Sequence, residues 1–280
     1  MSYSTENEQN VQTRRIAGVL VAVVVLAGVA WWWLHRAPAA HAPAVAPPAA
    51  SVPAPAAPAA DTPPAIQHPL PPAPATPVDA AANPDPDAQA SAELDHLFER
   101  KLADWLIPDM LVRRLVATVD ALPRNGRIEP LRPLRAPATP FAVQRQPLDA
   151  AEGTERITLA PANAARYDAL VGLLAHLDPQ QAVDSYRRLY PQLQKAYEDL
   201  GYPGHYFNDR VVETIDDLLA TPEPAGAILL EQPKVLYRFA DADLESRSAG
   251  QKMLLRMGVD HERVVKEKLR AIRTLIAGKE

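Results

Sequence analysis

The sequence predicts a mainly α-helical globular domain, preceded by an N-terminal transmembrane helix and a disordered Pro/Ala-rich linker, with one or two short β-hairpins inside the domain. Three observations lead to this fold class. Residues 16–34 form an apolar run without charge, and more than half of the 30 prolines lie within residues 35–91. Residues 92–280 carry apolar side chains at helical spacing. The chain therefore divides into a tail, a span, a tether and one domain.

The apolar run reads IAGVLVAVVVLAGVAWWWL, and its nineteen residues would form a helix of about 28 Å, close to a bilayer core of ~30 Å. Arg14 and Arg15 precede it and Arg36 follows it. This positive-inside bias predicts a cytoplasmic tail over residues 1–15 and an exported C-terminal domain. A cleaved signal peptide is the alternative, but its apolar region would span only ~7–15 residues. We therefore expect an uncleaved signal-anchor that crosses the lipid bilayer with residues 16–34.

The tether, residues 35–91, consists almost entirely of alanine, proline and a few polar residues. Such a sequence lacks the large apolar side chains that would offset chain entropy, so we expect it to be disordered. Frequent prolines favour polyproline II conformation. No Lys or Arg follows Arg36 within it, and it should not be drawn to anionic headgroups. The tether is thus predicted to be a semi-rigid spacer.

In the first half of the domain, apolar stripes predict helices over Glu93–Leu106 and Asp109–Leu122. Alternation over 141–146 and 156–159, around Glu152-Gly153, predicts a hairpin. Pro161 then opens a helix.

In the second half, Asp178-Pro179 predicts a cap and the first turn of a helix that ends at Gly201, with a kink or two abutting helices at Pro191. Asn208 is expected to cap a short helix. A second hairpin is predicted over 227–230 and 234–239, followed by helices that Ser248 and Asp260 cap.

Two polar clusters are candidate sites. The first is a possible ligand or partner cluster around the second hairpin, with cationic groups suited to an anion: Tyr237, Arg238, Asp241, Lys252 and Arg256. The alternative is a salt-bridged surface that joins the hairpin to its helix. The weaker second cluster is His205, Tyr206 and Asp209, which could support acid–base chemistry. Its alternative is a turn whose aromatics pack and whose polar residues cap the next helix.

Other chemistry lacks a signature in this sequence. There is no cysteine, which excludes disulfides, thiolate metal sites and a cysteine nucleophile. The seven histidines never pair at helical metal-ligand spacing. Walker, dinucleotide-binding and GxSxG motifs are absent. We expect no cofactor, no metal and no catalytic residue. A net charge of −5 without a basic block also argues against nucleic-acid binding.

Five segments of the domain resemble domain-of-unknown-function family 3014, over about Leu94 to Ile276. These segments are Tyr197–Pro203, Leu218–Pro222, Tyr237–Asp241, Gln251–Gly258 and Lys268–Arg270. The resemblance implies a proteobacterial protein with an N-terminal anchor and a Pro/Ala-rich stretch, in a Gram-negative inner membrane. It implies no activity and no site residue.

The expected function is that of an inner-membrane protein which presents a helical interaction or scaffold domain in the periplasm, to an envelope protein or the cell wall. The absence of a catalytic motif favours a non-enzymatic role. A tethered hydrolase or a ligand-binding enzyme subunit, using either polar cluster, is the open alternative. Gly18 and Ala22 form a small-xxx-small pair, which leaves a homodimer through the span open.

Overall fold

The computed structural model describes residues 64–72, 85–126, 132–137, 139–149 and 154–277. The predicted tail, the predicted span and most of the predicted tether lie outside these residues. None of the helices in the described part is both long enough and apolar enough to cross a membrane.

Within the described residues the chain forms nine helices and one four-stranded antiparallel sheet, which confirms the prediction of a mainly helical domain with minor β-structure. The helices are α1 (Pro86–Leu97), α2 (Leu111–Ala121), α3 (Ala162–Ala165), α4 (Asp168–Ala175), α5 (Pro179–Asp199), α6 (Phe207–Leu219), α7 (Ala242–Glu245), α8 (Ala249–Met257) and α9 (Val259–Ile276). The strands are β1 (Val143–Asp149), β2 (Thr154–Leu159), β3 (Leu229–Glu231) and β4 (Arg238–Phe239).

Helix α9 lies at the centre of the helical layer, where it contacts α4, α5 and α6, while α2 contacts α5 and α6. The predicted stripe of α5 faces this core, and Val183, Tyr186, Leu193 and Tyr197 are all buried. Asp178 caps α5 by accepting a hydrogen bond of 2.9 Å from the Gln181 backbone N–H, as predicted. Burial of these large side chains is the main stabilising contribution of the helical layer.

The two predicted hairpins form one sheet with the strand order β1-β2-β3-β4. Ile157 of β2 pairs with Leu230 of β3, and Leu230 pairs with Phe239 of β4. Leu230, Phe239 and Leu255 form a second buried cluster under the sheet. The sheet thus packs on the helices through α8, which carries Leu255.

Some element boundaries differ from the prediction. The helix expected over Glu93–Leu106 ends at Leu97, because Glu99 and Arg100 adopt left-handed backbone conformations (φ 49° and 63°). Turns continue to residue 105 and still bury Phe98, Leu102 and Leu106. Turns that bond i to i+3 repeat apolar side chains at nearly the helical spacing, so the apolar pattern did not reveal the break.

Three further predictions about helices are corrected. Helix α5 runs unbroken from Pro179 to Asp199 through Pro191, so the alternative of two abutting helices is wrong. Asn208 lies inside α6 and Tyr206 is the N-cap residue. Helix α9 begins at Val259, directly after Gly258, so Asp260 lies in its first turn.

Two features place part of the predicted tether on the domain. Helix α1 begins at Pro86, six residues before the predicted boundary at residue 92, and Asp85 caps it. Residues 64–72, here named the strap, lie against the C-terminal half of the domain and bend at Gln67 and His68, through the contacts given below. These nine residues belong to the segment predicted to be disordered.

Candidate functional site

The strap lies on a small polar surface at the start of α6, here named the docking platform. It consists of Tyr206, Asn208 and Asp209, together with the last carbonyl groups of α9 and its C-cap at Ile276 and Ala277. The platform residues come from two elements that pack side by side in the core. The fold therefore fixes their relative positions.

Asp209 is the main acceptor for the strap. One carboxylate oxygen, Oδ2, accepts a hydrogen bond of 3.0 Å from the Gln67 backbone N–H, and Oδ1 accepts one of 2.7 Å from the His68 backbone N–H. Hydrogen bonds to an ionised carboxylate are shorter and stronger than neutral ones. Asp209 thereby holds two successive peptide groups of the strap.

Asn208 and Tyr206 extend the recognition along the strap. Asn208 Nδ2 donates to the His68 carbonyl at 2.8 Å and to the Ile276 carbonyl at 3.1 Å. The Tyr206 hydroxyl accepts a hydrogen bond of 3.0 Å from the Leu70 N–H. The Leu70 side chain is half-buried against the helical core. The strap is thus bound by its backbone, by the apolar side chain of Leu70 and by the His68 ring, whose Nδ1 lies 3.4 Å from the Ala277 carbonyl.

Asp209 is available to the strap because α5 satisfies the first amide groups of α6. Gln194 Oε1 accepts a hydrogen bond of 2.8 Å from the Phe207 N–H, and the Tyr190 hydroxyl accepts one of 3.2 Å from the Asn208 N–H. A helix start leaves such amide groups without intrahelical partners. The positive end of the helix dipole also favours a carboxylate in this first turn.

Buried tyrosines hold Asn208 in its orientation. The Tyr186 hydroxyl donates a hydrogen bond of 3.1 Å to Asn208 Oδ1, and Asn208 itself is fully buried. Burial raises the pKa of Tyr186 and of Tyr190 well above the usual value. Both hydroxyls therefore keep their protons throughout the physiological range. The Asn208 amide nitrogen is the end directed at the His68 and Ile276 carbonyls, because these two groups can only accept hydrogen bonds.

The structure separates the members of the weaker predicted cluster. Tyr206 and Asp209 both bind the strap. His205 is exposed, its ring lies edge-on to Tyr202 at 6.0 Å between centroids, and its carbonyl accepts a hydrogen bond from Gln194. Since the Asp209 carboxylate is engaged by strap amides, the described residues show no His–Asp pair here suited to proton transfer.

The members of the first predicted cluster bond mainly to their own neighbours. Arg238 pairs with Glu231 at 2.6 Å, and Asp241 caps α7 through the N–H groups of residues 243 and 244. Lys252 pairs with Glu245 at 3.5 Å. These contacts match the alternative of a salt-bridged surface between the second hairpin and its helix.

Tyr237 and Arg256 make contacts of a different kind. The Tyr237 hydroxyl accepts a hydrogen bond of 2.8 Å from Arg145 of β1. The Arg256 guanidinium lies over the Phe239 ring, 4.6 Å from its centroid. Protein atoms crowd this guanidinium although part of the side chain reaches solvent, and the resulting desolvation lowers the pKa of Arg256 to about 10.

A cavity of about 260 Å³ lies beside Arg256, between the sheet and the start of α9. Its walls are largely apolar, and Glu262 is the acidic residue among them. Lys266 pairs with Glu262 at 2.7 Å, and burial raises the pKa of Glu262 above its ordinary value. The cavity combines apolar walls with a few polar groups, but it is smaller than the ~300–1,000 Å³ of most small-molecule sites.

The described part of the chain contains no cluster of three or more His, Asp or Glu side chains that could hold a metal ion. Histidines near the platform serve other contacts, as the 3.4 Å approach of His68 Nδ1 to the Ala277 carbonyl shows.

Sequence reasoning missed the strap, although one signal was present. Ile66 and Leu70 are the only isoleucine and leucine within residues 35–91. Large aliphatic side chains in an Ala/Pro tract indicate a segment that can contact a folded domain. Asn208 was considered only as a helix cap, and its role in binding the strap required the tertiary arrangement of α5, α6 and α9.

Residues 111–273 match the family model described as "Protein of unknown function (DUF3014)". The chain belongs to this family. The match covers α2 through most of α9, and it includes the docking platform residues of α6 and its N-cap. The strap and α1 precede the region that defines DUF3014. No curated protein and no solved structure matches the chain.

Proposed function

We propose that this DUF3014 protein is an inner-membrane-anchored envelope protein whose periplasmic domain is an interaction module that binds peptide segments through their backbone. The docked strap is the observation that carries the proposal. Four hydrogen bonds of 2.7–3.0 Å join its backbone to the platform. A domain that binds a segment without helix or strand structure through its backbone groups has the chemistry of a peptide-recognition module.

The anchor and the tether give this module its setting. Residues 16–34 would hold the protein in the bilayer, and the Arg14-Arg15 bias would place the domain outside the cytoplasm. With the strap docked, the 29 residues from 35 to 63 would remain as the spacer, about 90 Å if fully extended. The domain could then meet envelope proteins or the cell wall at that distance.

Hydrogen–deuterium exchange of the full chain tests the docking. The wild-type amides of Gln67, His68 and Leu70 should be protected, and Asp209→Ala should raise exchange across residues 64–72 about tenfold or more. Asp216→Ala is the matched control, because Asp216 lies on the same helix and pairs with Arg273 instead. Strap amides that exchange as fast in wild type as in an unfolded peptide would contradict docking and remove the basis of the proposal.

Reporter fusions test the setting. A C-terminal alkaline phosphatase fusion should be active, and a fluorescent protein that folds only in the cytoplasm should be dark at the same position. Replacing Arg14 and Arg15 with glutamate should invert or weaken this orientation. An inactive phosphatase fusion with a bright cytoplasmic reporter would contradict the periplasmic placement.

The cavity beside Arg256 favours a second candidate, a tethered hydrolase or a ligand-binding enzyme subunit. If the cavity binds a ligand essential to the function, Arg256→Met should fold normally yet fail to complement a deletion strain. His205→Ala tests the same alternative at the weaker predicted cluster. Full complementation by both folded variants removes the enzymatic candidate.

A further inference from the structure

We propose that the docking platform binds, in place of the strap, a leucine–proline peptide of a partner protein that bends as the strap does. This inference rests on the proposed function and names the ligand chemistry of the same site. The strap would then act as a built-in competitor that covers the platform until the partner peptide displaces it. Three properties of the strap complex support this proposal.

The first property is that the platform binds backbone groups of the strap. It hydrogen-bonds the N–H groups of residues 67, 68 and 70 and the carbonyl of residue 68. Proline has no N–H, and Pro69, Pro71 and Pro72 occupy positions whose N–H is not used. A ligand therefore needs ordinary residues at three positions and tolerates proline between and after them.

The second property is the small number of side chains involved. Leu70 is half-buried on the core and the His68 ring approaches the Ala277 carbonyl, whereas Ile66 and Gln67 are exposed. Backbone recognition with one apolar anchor is permissive towards sequence. A partner peptide that carries leucine flanked by prolines would satisfy the same contacts.

The third property is that the strap is replaceable. Its four backbone hydrogen bonds each contribute only about 0.5–3 kcal/mol net, and Leu70 is not fully buried. The strap occupies the platform mainly because it is attached, at an effective concentration on the order of 1 mM. A free peptide with Kd near 100 µM would then bind wild type about tenfold more weakly than a chain whose strap is released.

The test uses the full chain in detergent micelles and a fluorescent synthetic peptide with the sequence of residues 62–74. Gln67→Pro/His68→Pro in the chain removes two strap amide donors and leaves the domain unchanged. Fluorescence anisotropy should show that this variant binds the peptide about tenfold more tightly than wild type. Ala65→Pro is the matched control, because no platform contact uses that N–H, and it should bind like wild type.

Specificity is tested in the strap-released chain. Adding Asp209→Ala should abolish measurable binding, and changing leucine to serine in the peptide at the position of Leu70 should weaken binding several-fold. Binding that either change leaves at full strength would overturn the assignment of the platform. Peptide that fails to bind the strap-released chain would also overturn it, while the exchange protection of residues 64–72 would still uphold docking in cis.

A second copy of the chain could supply the same segment. If wild type forms a dimer that Asp209→Ala dissociates, as measured by light scattering, the occupant is the strap of a second chain and the partner-peptide proposal fails. A monomeric wild type that binds the peptide after strap release supports the partner. Light scattering together with peptide binding therefore distinguishes a platform occupied by a second copy of the chain from a platform that binds a partner peptide.

Discussion

Two N-terminal segments reach the domain before α2, and they attach by different chemistry. The strap uses its backbone, and its donors and acceptors meet Asp209, Asn208 and Tyr206. Helix α1 uses side chains, since Ala90 and Leu94 are buried in the helical core. A segment that contributes core side chains is part of the folded domain. A segment that is held mainly by backbone hydrogen bonds can detach while the domain stays folded.

A half-buried ion pair strengthens the attachment of α1. Glu93 accepts hydrogen bonds from Arg188 at 2.7 and 2.8 Å and from the Ser185 hydroxyl at 2.5 Å. Gln89 and Gln192 add a further bond between α1 and α5. The comparison predicts that changes in α1 destabilise the whole domain, while changes in the strap act locally.

The largest effect is expected for Leu94→Ala, which removes a buried side chain that is 2% exposed. The free energy of unfolding should fall by about 2–4 kcal/mol, because the substitution loses apolar contacts and leaves a cavity. Urea unfolding of residues 62–280, a fragment that contains every described residue, measures this by circular dichroism. Leu97→Ala is the control, since Leu97 is only partly buried at the rim of the core, and it should cost about half as much or less. A loss below about 0.5 kcal/mol for Leu94→Ala would show that α1 is not part of the cooperative unit.

The next effect is the pH dependence that Glu93 contributes. Burial opposes ionisation of Glu93, but hydrogen bonds from Arg188 and Ser185 prevail and hold its pKa below the ordinary value of 4.5. The stabilising contribution is therefore present above pH 4.5 and is lost as pH falls through the lower pKa of the folded state. Glu93→Gln should lower stability by about 1–2 kcal/mol at pH 7.

The measurement is urea unfolding at pH 7, 5, 4 and 3. The difference between wild type and Glu93→Gln should shrink towards the acid end, because protonated Glu93 resembles glutamine. Glu99→Gln serves as the control, since Glu99 pairs with Lys101 in an exposed position. A difference that stays constant with pH would show that Glu93 acts through packing and not through its charge.

Features that depend on neighbouring residues could be predicted from the sequence, and features that depend on distant contacts could not. The ends of α5 were predictable because Asp178, Pro179 and Gly201 act on their own neighbourhood, and Gly201 adopts the expected positive φ of 114°. The pairing of β2 with β3 joins Ile157 to Leu230, and no local pattern encodes a contact so distant in sequence. The start of α1 was placed late because alanine-rich sequence before residue 92 resembled the tether.

The platform was only half predictable for a related reason. Tyr206 and Asp209 are polar residues next to a predicted turn, and the sequence suggested that they act together with His205. In the structure His205 contacts Tyr202 and Gln194 and not the strap. The ligand of the platform is recognised through main-chain atoms that every residue except proline shares. Such recognition leaves little trace in side-chain patterns, whereas the leucines and valines of α1 and α2 reveal their buried face directly.

A smaller effect is expected for Leu70→Ser in the strap. Since Leu70 is half-buried, the global stability of residues 62–280 should change by less than about 1 kcal/mol. Exchange of the strap amides should nevertheless increase several-fold, because the apolar anchor is lost while the platform remains folded. Hydrogen–deuterium exchange, compared between strap and α1 peptides, measures both. Faster exchange in α1 as well as in the strap would contradict the independence of the two segments.

The smallest effect is expected for Ile66→Ser, immediately before the strap donors. Ile66 is 55% exposed. We therefore expect its side chain to add little to docking, although it is one of the two large aliphatic side chains of the strap. Serine retains the backbone N–H and carbonyl, and both global stability and strap exchange should stay within about 0.5 kcal/mol of wild type. Comparing Ile66→Ser with Leu70→Ser by exchange then isolates the single apolar anchor. If Ile66→Ser speeds strap exchange as much as Leu70→Ser does, docking depends on several apolar side chains of the strap and not on one leucine. The strap would then be attached to the domain by side chains, as α1 is.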